Sequence, residues 1–397
     1  MRARRERRME LKRGKERRRK ENKNLHRSMA WCFAGMVLLL VAASIIQPDR
    51  KISDEENRVL TTFPRPGIEN IKNKEYMTEL EDYSSDQFIL RDLWIRLKVR
   101  CDLFVGKREF NGVYLGKKKY LMQIPVGMDE KNTKENLEAM NQFRQKNGNL
   151  RMNALIVPNA AYIMKDYLPM GAPVRDQGED MKYIKKQLSG GIGLIDITET
   201  LRKHVDEGVY YKTDHHWTSR GAAYGFNAAA KQLEIEGLVS DYKIHTVATD
   251  FSGTLASRSG YHKATDTVEV YQPENVEYQY LVSDSDNEEK RPTIYDRKAL
   301  DGKDKYQVFF GGNHAMVDIV TTNDNQRRLL IFKDSYANSF VPFLIPYYNE
   351  IIMIDARYYY ENVHMLVENK GITDVLFLYN MDTFLNDNSL GDVLASE

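Results

Sequence analysis

The stretch RLLIFKDSYANSFVPFL, residues 328–344, decides how the chain is read. After its leading arginine it opens on four apolar residues with no polar alternation, as a strand buried on both faces of a parallel sheet does. Lys333-Asp334-Ser335 ends that run, and residues 336–346 are compatible with a helix. A serine so placed stands at a strand's carboxyl end beside the N–H groups of a helix start, where an oxyanion is stabilised. Ordinary N-capping accounts for the same residues, with Asp334 the better pure cap.

The same texture extends outward. YQVFF (306–310), EIIMID (350–355) and TDVLFLY (373–379) predict further buried strands, and 360–370 predicts a helix closed by Gly371. Upstream, ALIVP (154–158) and Gly193–Ile197 read as strands, and 129–147 as a polar helix. GVYLGKKKYLMQIP (112–125) reads as a hairpin. TSRGAAYGFNAAAKQLE (218–234) puts Ala222, Ala223, Phe226, Ala229, Ala230 and Leu233 on one helical face, N-capped by Thr218 or Ser219. Residues 235–300 read as an irregular, polar insertion. Strands alternating with helices predict an α/β, doubly wound layer, whose chemistry gathers beyond the strands' carboxyl ends.

Toward the N-terminus the texture changes. Residues 1–27 hold 14 Lys/Arg and four Glu, leaving 44 of the 58 basic and 53 of the 57 acidic residues elsewhere. The formal net charge of +1 therefore divides into a head at +10 and a body at −9. Between them Met29–Ile46, MAWCFAGMVLLLVAASII, is uncharged and, at about 1.5 Å per residue, nearly matches the roughly 30 Å hydrocarbon core. A cleaved signal peptide would have a shorter apolar core, and AAS before Ile-Ile is a poor cleavage site. The reading is a retained single-pass anchor in the cytoplasmic membrane, with residues 1–28 a basic cytoplasmic tail and the body outside. Residues 47–75 read as a linker, 76–397 as the extracytoplasmic domain, opening with two amphipathic segments over 76–105. An acidic body argues against nucleic acid as its partner. Cys32 and Cys101 offer the body no internal disulfide, and no Cys/His tract has zinc spacing.

Apart from Ser335, the chemistry-bearing residues are few. In YYKTDHHWT (210–218) an extended backbone would put Asp214 and His216 on one face and His215 on the other. A carboxylate beside an imidazole is the pair that fixes a tautomer for acyl transfer. Taken alone, these residues read more often as a structural histidine beside a helix cap, and less often as half a metal site. Asn313, in GGNH after YQVFF, and Asn380, after TDVLFLY, each offer an amide to an oxyanion, or simply make a turn.

YYKTDHHWT and LLIFKDSYANSFVPFL together resemble the DHHW protein family of Gram-positive bacteria, which is similar to the periplasmic alginate O-acetyltransferases of SGNH-hydrolase-like type. ISDEENRVLTTFP, YSSDQFILRD (83–92), FSGTLASRSG (251–260), FFGGNHA and IDARYY extend the likeness over about residues 50–397. The resemblance implies a permuted SGNH-hydrolase-like fold, three-layer α/β/α with a mostly parallel sheet. It makes Ser335 the nucleophile, His216 the general base, Asp214 its orienter, and Asn380 the oxyanion candidate, although Leu378 stands where the SGNH block has glycine. Asn313 is the rival, and Trp217, Tyr210 and Tyr211 are candidates for stacking on a sugar.

The activity implied is ping-pong transfer of an acetyl group to cell-envelope polysaccharide, with no metal or nucleotide cofactor. Acetyl-CoA is absent outside the cytoplasm, so the donor would come through a membrane-bound O-acyltransferase. A carbohydrate acetyl esterase with the same triad, and a non-catalytic glycan-binding or assembly protein on the same scaffold, are the competing readings.

Overall fold

A computed structural model describes residues 2–396 except 54, 57 and 277. Asp54 and Asn57 of the ISDEENRVLTTFP stretch thus lie outside the described residues. The chain divides into two compact units, Met1–Lys98 and Val99–Glu397.

In the first unit Arg2–Ile46 is one continuous helix, and Arg13–Ile46 is long and apolar enough to cross a membrane. The 47–75 segment carries structure. Ile52–Ser53 pairs antiparallel with Arg58–Val59, and Ile68–Lys72 is helical. The two amphipathic segments are the helices Glu75–Asp86 and Arg91–Phe104. Ion pairs knit them to the preceding chain: Arg50 to Asp92 at 2.8 Å, Arg58 to Asp86, and Arg91 to Glu56. The Arg58 hydrogen bond holds the Asp86 carboxyl down, to about 2.

The second unit is built on an eight-stranded sheet. In chain order its strands are β1 (Arg151–Val157), β2 (Ile192–Ile195), β3 (Tyr280–Asp284), β4 (Asn287–Arg291), β5 (Met316–Thr321), β6 (Arg328–Lys333), β7 (Glu350–Ile354) and β8 (Asp374–Asn380). Their spatial order is β4-β3-β5-β7-β6-β8-β1-β2. The five strands from β7 to β2 are parallel, and β5, β3 and β4 extend the sheet antiparallel.

Because strand side chains alternate faces, each buried strand feeds two cores. Leu329 and Ile331 of β6 enter one, with Trp217 and Phe226; Leu330 and Phe332 enter the other, with Phe143 and Val367. Helices Glu130–Lys146 and Val363–Lys370 cover the second core, the latter ending on left-handed Gly371. Ser219–Ala229 covers the first, N-capped by Thr218, whose hydroxyl accepts from Gly221 N–H. The result is a three-layer α/β/α fold with a mostly parallel sheet. From β6 the chain steps to β7 on one side and then to β8 on the other. The carboxyl end of β6 is therefore a topological switch point.

Two expectations change. YQVFF is not a strand: Lys305–Val308 is a 3-10 turn, and only Phe309 makes a bridge, to Tyr295. Phe310, Gly311 and Gly312 follow with φ of 67°, 84° and 121°, in a left-handed run that no strand continues through. The 235–300 insertion is more regular than its polarity suggests. It holds the antiparallel pair Tyr242–Phe251 and Asp266–Pro273, as well as β3 and β4. Their half-exposed faces carry polar residues, which masks the strand signal.

Candidate active site

Ser335 stands just past the carboxyl end of β6, half-buried, in the turn that leads into the short helix Ala337–Phe340. Asp334 shapes that turn. One of its carboxylate oxygens accepts from Tyr336 N–H and the other from Asn380 N–H, both at 2.9 Å, tying the ends of β6 and β8 together. It is therefore more than a cap, and its burial pushes its pKa up.

The YYKTDHHWT stretch is not extended. It closes into a loop, with Tyr210 bridging Trp217 and Tyr211 N–H donating to His216 C=O, so residues 212–216 form the bend. This overturns the alternating-face expectation. The rings of His215 and His216 lie 3.8 Å apart rather than on opposite sides. The loop nonetheless brings three of the singled-out residues into one chain of hydrogen bonds. His216 Nε2 lies 2.7 Å from Ser335 Oγ, and His216 Nδ1 lies 2.6 Å from Asp214 Oδ1.

Asp214 is buried and fully engaged. Its second oxygen accepts from Thr254 N–H at 2.9 Å and Thr254 Oγ–H at 3.0 Å, and Oδ1 also accepts from His216 N–H. Burial alone would raise this carboxyl, but the two imidazoles and these donors hold it well below the ordinary carboxylate range. Gly253 passes so close that a Cβ there would sit 2.5 Å from Asp214 Oδ2. The His216 ring stacks on Tyr306, centroids 3.8 Å apart and planes 9° from parallel, while Tyr306 Oη–H donates to Ser335 C=O at 2.9 Å.

Asp214, His215 and His216 bring three potential metal-ligating atoms within 4.8 Å of one another. His215 Nδ1 is committed to Thr254 Oγ1 at 2.8 Å, and both His216 nitrogens are committed as above. Burial and the neighbouring His216 push His215 down, to about 4.

The remaining candidates fall elsewhere. Asn380 Nδ2 donates one hydrogen bond, to Val157 C=O at 3.2 Å, and its Oδ1 caps Asp382 N–H, so this amide is tied to the end of the sheet. Asn313 Oδ1 accepts from Lys333 Nζ at 2.9 Å and from Asn338 Nδ2 at 3.1 Å, two residues that flank Ser335 in sequence. Trp217 cannot stack on a sugar. It is fully buried, stacked on Phe340, with its indole N–H donating to Tyr336 C=O. Tyr210 and Tyr211 are as deeply buried. Sequence reasoning missed Gly253 and Thr254, although FSGTLASRSG contains them, and missed Tyr306, which lay inside a misassigned strand.

With this geometry established, comparisons with known proteins place the chain. A family model described as DHHW protein matches residues 128–354. A DHHW family protein of Eubacterium siraeum is 26% identical in solved structure, the match covering 73% of this chain and 98% of that one with a TM-score of 0.63. Bacillus cereus PatB1, solved with a sulfonyl adduct, is 21% identical over 70% of this chain and 97% of its own, TM-score 0.59. No curated protein matches the sequence.

Proposed function

Since the chain belongs to the DHHW protein family, we propose that it is a membrane-anchored, extracytoplasmic O-acetyltransferase of cell-envelope polysaccharide. The observation that carries this reading is the Ser335–His216–Asp214 chain, with contacts of 2.7 and 2.6 Å at the switch point of the sheet.

The chemistry follows from the three residues. His216 Nε2 takes the Ser335 hydroxyl proton as Oγ attacks the acetyl carbonyl, and the same imidazole returns the proton to the leaving alcohol. A sugar hydroxyl, deprotonated by His216, then attacks acetyl-Ser335 and frees the serine. Asp214, kept ionised, holds Nδ1–H and stabilises the imidazolium. Tyr306 supports the ring face, and Thr254 fixes the carboxylate. We assign the oxyanion role to Asn313 over Asn380, because Lys333 and Asn338 hold Asn313 by its oxygen. The Arg13–Ile46 helix would be the anchor, its basic head retained in the cytoplasm. The acetyl donor would be a membrane-bound O-acyltransferase.

A sulfonyl fluoride is the natural probe, since PatB1 carries a sulfonyl adduct. The full chain in detergent should gain one sulfonyl group and lose p-nitrophenyl acetate turnover, and Ser335→Ala should show neither labelling nor turnover with its fold intact. Undiminished turnover in Ser335→Ala would remove Ser335 as nucleophile. Neutral, amino-sugar and uronic-acid oligosaccharides then test the acceptor. A body at −9 repels anionic polymers, so acetylation of the neutral or amino sugars is expected. Acetate release without any acetylated sugar would make the protein an esterase.

A further inference from the structure

In the first unit, Leu90, Leu93, Trp94 and Leu97 recur at the i, i+3, i+4, i+7 spacing that places them on one face of the helix Arg91–Phe104 and its N-terminal edge. All four are exposed, by 57%, 55%, 42% and 46%. The charged residues of this segment point to protein partners instead: Arg91 pairs with Glu56, Asp92 with Arg50, and Arg96 with Glu55. A contiguous apolar stripe of this kind marks an interaction surface.

The surroundings identify the partner. Ser44 Oγ accepts from Ile89 N–H at 3.0 Å, tethering the helix start to the last turns of the apolar Arg13–Ile46 helix. Between them opens a cavity of about 910 Å³ lined by Val41 and Ile45 of that helix and by Phe63, Phe88, Trp94 and Ile95. One wall of the cavity is thus the outward surface of the span itself, where Val41 is 46% and Ile45 78% exposed. On the membrane-anchor reading, a groove beside the last turns of this helix would lie at the acyl–headgroup boundary. An indole with an apolar body and a polar edge is suited to that depth.

We infer that this face is a lipid-binding platform. The Leu90–Leu97 stripe lies in the leaflet from which the span emerges, and phospholipid acyl chains occupy the groove beside Val41 and Ile45. The inference rests on the membrane-anchor reading proposed above. It makes the first unit an interfacial element that rests on the bilayer rather than a free tether.

The chain's three tryptophans supply the test. Trp31 lies within the span, Trp94 in the stripe, and Trp217 in the dry core of the second unit. The full chain is reconstituted into phosphatidylcholine/phosphatidylglycerol vesicles whose acyl chains are brominated either near the headgroup or near the terminal methyl. Trp31→Phe reports Trp94 with Trp217, Trp94→Phe reports Trp31 with Trp217, and the double variant gives the Trp217 background. With insertion to about 5–10 Å, Trp94 emission should be blue-shifted and quenched, more strongly by bromine near the headgroup. Quenching of Trp31 without quenching of Trp94 would overturn the platform and leave the anchor standing. Quenching of neither would overturn the anchor reading, and the platform with it.

Discussion

Gly253→Ala tests whether Asp214 acts through its position. Gly253 has an ordinary φ of −80°, so alanine meets no backbone penalty there, and the obstacle is space alone. Its Cβ would press closest on Asp214 Cβ, which no side-chain rotation moves, and stand 2.5 Å from Oδ2 and 2.8 Å from Cγ, where ordinary contact begins at 3.4 Å. Asp214 is buried and holds four hydrogen bonds, so it has no rotamer to escape into. Relieving the clash moves the carboxylate by about 0.9 Å, enough to take the 2.6 Å His216 contact to the edge of hydrogen-bond range. A misplacement of about 1 Å costs about 10²-fold in rate, and complete loss of the orienting carboxylate about 10⁴-fold. The expected fall in kcat lies between these, equivalent to about 3–5 kcal/mol in the barrier. The assay is p-nitrophenyl acetate turnover by the full chain in detergent, with circular dichroism to confirm folding. A double-mutant cycle separates positioning from general damage. Asp214→Gly removes every atom the new methyl would strike, so adding Gly253→Ala there should change kcat by no more than about twofold. A second loss of about 10²-fold in that background, or an unchanged kcat in the single variant, would refute the reasoning.

Two further outcomes are expected. His216→Ala should lower kcat by about 10⁴-fold or more and His215→Ala by far less, since only His216 bridges Asp214 and Ser335; equal losses restored by added zinc would indicate a metal site. Burial pushes Lys333 down to about 8, so above that pH the unfolded chain holds a proton that the native state has released. Stability should therefore rise from about pH 8 to about pH 10.5, the ordinary lysine value. Urea midpoints should show the rise in the wild type and not in Lys333→Met, and a parallel fall in both would contradict it.

The sheet was legible because burial on both faces leaves an unmistakable trace. RLLIF, EIIMID and TDVLFLY each became a parallel strand within a residue or two of the expected bounds. The antiparallel strands were not legible. In Tyr242–Phe251, which pairs outside the large sheet, every position but Phe251 is exposed or half-buried, so polar residues dilute the pattern and the segment reads as loop. YQVFF failed for the opposite reason, since apolar residues crowded into a turn look like a strand when only composition is read. Tyr306, Val308, Phe309 and Phe310 are all buried, yet the backbone curls through a 3-10 turn into left-handed positions.

That misreading falls beside the chemistry, and the coincidence has a physical basis. A strand would have carried Tyr306 along the sheet and presented its ring to a neighbouring strand. The turn instead lays the ring flat on His216 and aims its hydroxyl at Ser335 C=O. The DHHW loop departs from the extended form in the same manner. Extension would have separated the two histidines, whereas the bend lets one carboxylate accept from both the main chain and the ring of His216. Both irregular segments are held by contacts from well along the chain: Ser335 lies 119 residues beyond His216 in the DHHW loop and 29 beyond Tyr306 in the turn. Local pattern cannot encode such convergence, which is why the residues suggested three chemistries until the family likeness chose among them. Local rules are expected to fail where function overrides propensity. Here the two departures from regular structure are the two segments that hold His216, one at its nitrogen and one at its face.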